Sequence, residues 1–187
     1  MTNGRDPVIL ALGFGVLAGA AAWWFGQRSA VPVEGGGSVS SGSDWVTQVG
    51  NALGFWSPPE QYAGLVASAE ARYSLPDGLL ARLLWQESRY REDIITGRVA
   101  SPAGALGIAQ FMPATARDFG IDPLNPAQAI DAAGKYLRQL FNRFGNWPEA
   151  LAAYNWGQGN VSRKGLAAAP SETVAYFTSI LSDLGLA

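Results

Sequence analysis

Residues 76–88 read PDGLLARLLWQES, and the fold is decided by how this stretch is read. Leu80, Leu83, Leu84 and Glu87 recur at i, i+3, i+4 and i+7, so on a helix they share one face. Arg82, Gln86 and Arg89 then fall on the opposite side, which the pattern predicts to be solvated. Pro76 suits the first turn of such a helix, because its missing N–H would have no intrahelical acceptor there. Glu87 therefore ends an apolar stripe that faces a core or a cleft in it. An ionised carboxylate in that position is costly unless paired, and its usual response is a raised pKa. A glutamate protonated near neutral pH is what a general acid requires. Position alone leaves a second reading open, a structural ion pair or a satisfied helix-end residue.

Working outward, the flanking sequence reads as further helices. Residues 59–73 precede the stretch. After a long loop, a short helix is predicted near 106–112, broken by Pro113, followed by a turn of helix at 114–119. Asn125-Pro126 opens the longest helix and Gly145 closes it, with Ile130, Ala133, Leu137, Leu140, Phe141 and Phe144 at helical spacing. Residues 148–155 and 171–184 complete the set. No convincing alternation marks a strand. The fold class expected for residues 58–187 is all-α.

Two other regions precede this domain. From Val8 to Phe25 runs VILALGFGVLAGAAAWWF, 18 residues without a charge. As a helix it spans roughly 27 Å, close to the hydrocarbon core of a bilayer. Trp23 and Trp24 stand where an interfacial aromatic belt would lie. Residues 1–25 are expected to form a retained transmembrane anchor, with a cleaved signal peptide as the alternative. Charge gives no orientation, since Arg5 and Arg28 flank the run equally. Residues 26–57 form a Gly/Ser-rich tether, with a short helix expected at 44–53.

Composition removes whole classes of chemistry. The 187 residues contain neither Cys nor His. Disulfide frameworks, thiolate metal sites, Ser-His-Asp triads and imidazole acid–base catalysis are thereby excluded. Proton transfer must come from a carboxylate, a Lys or a Tyr. A formal net charge of −2 supplies no basic excess for nucleic acid, so none is expected as a partner.

Four strings in order carry a family resemblance: Glu87-Ser-Arg-Tyr, then SPAGALGIAQFMP from Ser101 to Pro113, then Ala152-Ala-Tyr-Asn-Trp-Gly, then Glu172-Thr-Val-Ala-Tyr176. Together they resemble the soluble-type lytic transglycosylases, lysozyme-like enzymes of glycoside hydrolase family 23 that cleave peptidoglycan. The resemblance covers roughly residues 58–184 and implies a lysozyme-like domain. It makes Glu87, followed by Ser88, the single catalytic acid/base. It implies that Gln110 hydrogen-bonds a sugar substituent and that Met112 lines a subsite. It places Tyr154 and Asn155 beside the scissile sugar, and Tyr176 near the catalytic carboxylate.

Plainer readings stand beside these roles. Tyr154 and Tyr176 also fit core aromatics, Gln110 a polar residue before a helix, and Asn155 a helix C-terminus closed by Gly157. Trp156 fits either a sugar platform or the core, and Glu172 fits a helix start. Ala109 stands where the family usually has Met. The stretch after Ser88, with Glu92 and Asp93, is longer than the family's connection, and its arginines suggest a solvated loop laced with ion pairs.

The resemblance implies cleavage between N-acetylmuramic acid and N-acetylglucosamine, with closure to a 1,6-anhydro sugar and with no metal or organic cofactor. The expected partners are glycan strands, a membrane through residues 8–25, and assembly partners in a bacterial envelope, a secretion system or a phage particle. The alternatives are a lysozyme using Glu92 or Asp93 as second carboxylate, and a non-catalytic glycan-binding or assembly protein.

Overall fold

A computed structural model describes residues 56–186. The anchor at 8–25, nearly all of the tether and the helix expected at 44–53 lie outside the described residues. Among the described residues no helix is long and apolar enough to cross a membrane. The described residues are mainly helical: α1 (Glu60–Arg72), α2 (Leu79–Ser88), α3 (Glu92–Ile95), α4 (Pro113–Phe119), α5 (Pro126–Phe144), α6 (Trp147–Ala152), α7 (Gln158–Lys164) and α8 (Ser171–Asp183). A π-helical turn, Ala153–Gly157, joins α6 to α7. The one β feature described is an isolated antiparallel bridge between Leu106 and Phe111.

Helix α5 is built as its sequence dictates. Asn125 caps it by accepting the Gln128 N–H at 3.2 Å, Pro126 takes the first turn, and Gly145 ends it in the left-handed region. Ala129, Ile130, Ala133, Leu137 and Leu140 form its buried stripe, against which α1 and α6 pack. Gly134 lets α1 approach: a Cβ there would stand 2.9 Å from the Tyr73 ring and 3.4 Å from Ala69 Cβ.

Helix α2 runs through the middle of this assembly, contacting α1, α5 and α8. It starts at Leu79 rather than at Pro76, because Gly78 at its N-cap takes φ 78°. Its cap is tertiary: the Glu70 carboxylate of α1 accepts the N–H groups of Gly78, Leu80 and Ala81 at 3.2, 2.9 and 3.2 Å. Leu80, Leu83 and Leu84 are fully buried, as the spacing predicts. The expected wet face is not wet. Arg82 and Gln86 are only 3% and 4% exposed, because α8, about a hundred residues later, covers that side.

Three other expectations are corrected. Residues 106–112 form a tight hairpin, not a helix: Leu106 and Phe111 exchange both backbone hydrogen bonds at 3.0 and 3.1 Å. Pro113 opens α4 at its first turn instead of breaking a preceding helix. The segment expected to end at Asn155 continues through the π-helical turn into α7, so Asn155 does not mark a helix C-terminus. The long connection after Ser88 also contains a helical turn, α3.

Candidate active site

The site is assembled where α2 ends. Ser88 is fully buried, and its hydroxyl donates to the Leu84 carbonyl at 3.0 Å while accepting the Tyr90 N–H at 3.2 Å. This stops the helix at Ser88, one residue past Glu87, and holds Arg89 and Tyr90 at φ 53° and 52°, conformations uncommon for side chains of their size. The Tyr90 hydroxyl donates back to the Ala81 carbonyl at 2.8 Å, which locks the turn.

Glu87 is largely removed from water, and the Tyr176 hydroxyl of α8 donates to its Oε1 at 2.6 Å. Burial raises the Glu87 pKa from the ordinary 4.5 to about 7, against the lowering effect of the Tyr176 hydrogen bond. Tyr176 is fully buried, and burial followed by the negative charge of Glu87 holds its pKa well above the usual value. It therefore remains a phenol and a donor. Tyr154 is pushed up in the same way by burial and then by the Glu87 charge.

The hairpin forms a second wall. A Cβ on Gly107 would come within 1.8 Å of the Pro123 carbonyl oxygen, so only glycine fits, and its φ of 75° suits glycine too. Gln110 sits at φ 49° and is 8% exposed; its Nε2 donates to the Gly107 carbonyl at 2.9 Å. Its Oε1 is buried and has no hydrogen-bond partner among the described residues. Next to it, the Ala109 carbonyl accepts the Tyr154 hydroxyl at 3.0 Å, which ties the hairpin to the π-helical turn. Met112 follows, partly exposed, at the N-cap of α4.

The π-helical turn presents Asn155. A single wide turn inside a helix re-aims the side chains it carries and is frequent at functional sites. Asn155 Oδ1 accepts the Thr173 hydroxyl at 2.8 Å. Thr173 is fully buried three residues before Tyr176, so one helix, α8, orients both the amide and the carboxyl. Trp156 belongs to the core at 6% exposure. Glu172 stands in the first turn of α8, a position that favours an acid.

The structure thus links Glu87 directly to Tyr176, Tyr176 through α8 to Thr173 and Asn155, and Tyr154 through Ala109 to the Gln110 hairpin. It does not bring Asp93 into this set. Asp93 accepts two hydrogen bonds from the Arg91 guanidinium at 3.1 and 2.6 Å, and that partner lowers its pKa. Sequence reasoning quoted Thr173 within the Glu172–Tyr176 string but gave it no role, although its i, i+3 spacing to Tyr176 puts the two on one face of α8.

Comparison with known proteins identifies the family of the chain. A family profile described as the transglycosylase SLT domain matches residues 64–176, more than half of the chain. The chain belongs to this family. It is 36% identical over 119 residues, 59% of its length, to the peptidoglycan transglycosylase gp16 of Escherichia phage T7, covering 9% of that protein. It is 34% identical over 98 residues to a transglycosylase of Enterobacteria phage PRD1, covering 52% of this chain and 35% of the relative. A membrane-bound lytic murein transglycosylase F 2 from Alkalilimnicola ehrlichii is 35% identical over 101 residues, 50% of this chain and 21% of its own. Among solved structures, an inactive Glu-to-Gln mutant of the lytic transglycosylase Slt from Pseudomonas aeruginosa superposes with a TM-score of 0.56. It is 25% identical, over 67% of this chain and 24% of that one. The SLT domain chain described here therefore spans only about a tenth to a third of the length of these relatives.

Proposed function

We propose that this protein is a peptidoglycan lytic transglycosylase in which Glu87 is the single acid and base. The observation that carries the reading is one carboxyl group, shielded from water, held by a phenol at 2.6 Å and pushed to a pKa of about 7. Such a group holds a proton at neutral pH and can also take one back, which general acid–base catalysis requires. Protonated Glu87 donates its proton to the glycosidic oxygen as the bond from C1 of N-acetylmuramic acid breaks. The carboxylate left behind then removes the proton of the muramyl 6-hydroxyl, whose oxygen bonds to C1. The products are a shortened strand with a free 4-hydroxyl and a 1,6-anhydromuramyl end, and Glu87 is protonated again.

The nucleophile is already part of the substrate, so neither a positioned water nor a second carboxylate is needed. The engagement of Asp93 by Arg91 speaks against Asp93 as the second carboxylate of a hydrolytic scheme. Tyr176 keeps Glu87 aimed. Gln110, Tyr154, Asn155 and Met112 are assigned to binding and orienting sugar, as the family resemblance implies; Ser88, expected among them, is fully buried with its hydroxyl engaged by Leu84 and Tyr90, and it shapes the end of α2 instead. The glutamate-to-glutamine change that inactivates the solved relative is consistent with the assignment.

The setting proposed is attachment to a membrane through residues 8–25, with the catalytic domain on the tether facing the cell wall. Relatives named as membrane-bound and relatives from phages both support a wall-opening role at such a boundary. Two measurements test the proposal. Glu87→Gln should abolish release of soluble fragments from purified peptidoglycan while leaving the fold intact, and more than about a tenth of the activity remaining would refute the assignment, because acid–base catalysis is typically worth 10²–10⁴-fold. The intact mass of the mature protein should include residues 1–25, and a species beginning after them would refute the anchor.

A further inference from the structure

Arg82 is a charged group buried without a place in the proposed chemistry. Its side chain is 3% exposed. Its Nε donates to Asp183 Oδ2 at 2.7 Å, its Nη1 to Gln86 Oε1 at 2.8 Å, and its Nη2 to Ser179 Oγ at 3.4 Å. The guanidinium also lies 4.7 Å from the centre of the Trp85 ring, which Arg89 approaches at 3.5 Å. Burying a guanidinium is expensive even when it is paired, and the best-attested reason to retain one is control of register.

The partners of Arg82 form a pattern. Tyr176, Ser179 and Asp183 recur on α8 at i, i+3 and i+7, so they share one stripe. Arg82 and Glu87 stand five residues apart on α2. The two helices are therefore joined by a ladder that runs antiparallel, with Arg82–Asp183 at one end, Arg82–Ser179 in the middle and Glu87–Tyr176 at the other. The Ser179 hydroxyl in turn donates to the Tyr176 carbonyl at 3.0 Å, joining the middle rung to the residue that holds the acid.

We infer that Arg82 is a positioning residue for the proposed acid: by tying α2 to α8 it fixes the register that brings the Tyr176 hydroxyl onto Glu87. Arg82 acts through Tyr176, without touching the reacting atoms. The charged and titratable groups that bear on Glu87 are Tyr176 from α8 and Tyr154 from the π-helical turn, and the charge of Arg82 in addition acts on Tyr176. Releasing the ladder should let Tyr176 drift. Glu87 then loses the hydrogen bond that lowers its pKa, and the alkaline limb of activity moves upward.

This inference rests on the reading of Glu87 as the acid. The test measures the pH dependence of kcat and KM on solubilised glycan strands, using the full chain, for Arg82→Met, Arg82→Lys and Asp183→Asn. The last variant keeps Arg82 in place and changes a partner whose side chain is 44% exposed, so it cuts the same rung at a position that tolerates change. The expected result is a fall in kcat of about tenfold with KM little altered, and an alkaline limb raised by about half a pH unit. Arg82→Lys should recover part of both. In a Tyr176→Phe background, Arg82→Met should move the limb no further, because the group it positions is gone. A lower melting temperature with kcat and limb unchanged in both Arg82→Met and Asp183→Asn would overturn the inference, as would additive shifts in the double variant. If Glu87→Gln retains activity, the reading of the acid fails first. If Glu87→Gln is inactive and the ladder variants behave as wild type, only the role of Arg82 fails.

Discussion

The two ends of α2 each meet a partly buried glutamate, and the two are treated differently. At the N-terminus, Glu70 accepts three backbone N–H groups within 3.2 Å and closes the helix. At the C-terminus, Glu87 accepts one phenolic O–H at 2.6 Å. Burial raises the pKa of both, and in both it is the largest cause. The difference lies in what opposes it. The N–H donors around Glu70 belong to a helix end whose dipole also favours an anion. Glu87 sits at the end where that dipole disfavours an anion, with a single donor that suits either protonation state. Burial alone does not separate a structural carboxyl from a reactive one; the number and kind of its donors do.

The largest effect that would sharpen this comparison is on Glu87. Its folded pKa of about 7 lies above the ordinary 4.5, so its proton is bound more tightly in the folded than in the unfolded state. The contribution of this group to stability is therefore fully present below about pH 4.5 and is lost as pH rises to about 7. Glu87→Gln, which is neutral throughout, should be more stable than wild type above pH 7, by on the order of 2–3 kcal/mol. The two should be nearly equal at pH 4–5. Chemical denaturation at the two pH values checks it, and equal stability at both would mean that the carboxyl is not strained.

Glu70→Ala should show the opposite pattern. Removing the tertiary cap leaves helix N–H groups without partners, at a cost of about 1–3 kcal/mol. The kcat of the folded fraction should stay within about threefold of wild type, since Glu70 binds the end of α2 opposite Glu87. A loss of turnover without a loss of stability would break the contrast between the two ends.

The smallest effect concerns orientation. Thr173→Val removes the hydroxyl that fixes the Asn155 amide and keeps the side-chain shape. It should raise KM or lower kcat by about three- to tenfold, with Thr173→Ser restoring most of the loss. Steady-state kinetics on soluble strands would show it, and wild-type kinetics for Thr173→Val would remove Asn155 from the site.

What the sequence made legible follows from how local each signal is. Helix α5 is readable to the residue because Asn125, Pro126 and Gly145 act within one turn of its ends. Glu87 is readable because i+7 periodicity carries it along the stripe of Leu80, Leu83 and Leu84. The hairpin at 106–111 is misread as a helix because its apolar residues sit at a spacing that suits either, whereas Gly107 and Gln110 take positive φ and Leu106 pairs with Phe111. Arg82 and Gln86 are misread as solvated because α8 covers them from a distant part of the sequence. Glu70 is missed as a cap for the same reason. Tyr176 as the partner of Glu87 came only from the resemblance of Glu172-Thr-Val-Ala-Tyr176 to a family motif, since no spacing rule joins residues 89 positions apart.

The central claim is that one carboxyl suffices because the substrate supplies its own nucleophile, and the product reports this directly. Mass spectrometry of the muropeptides released by the full chain should show ends that lack the elements of one water and resist borohydride reduction, the signature of 1,6-anhydromuramic acid. Predominantly reducible ends, one water heavier, would contradict the account and would mean that water, activated by a second group, attacks C1.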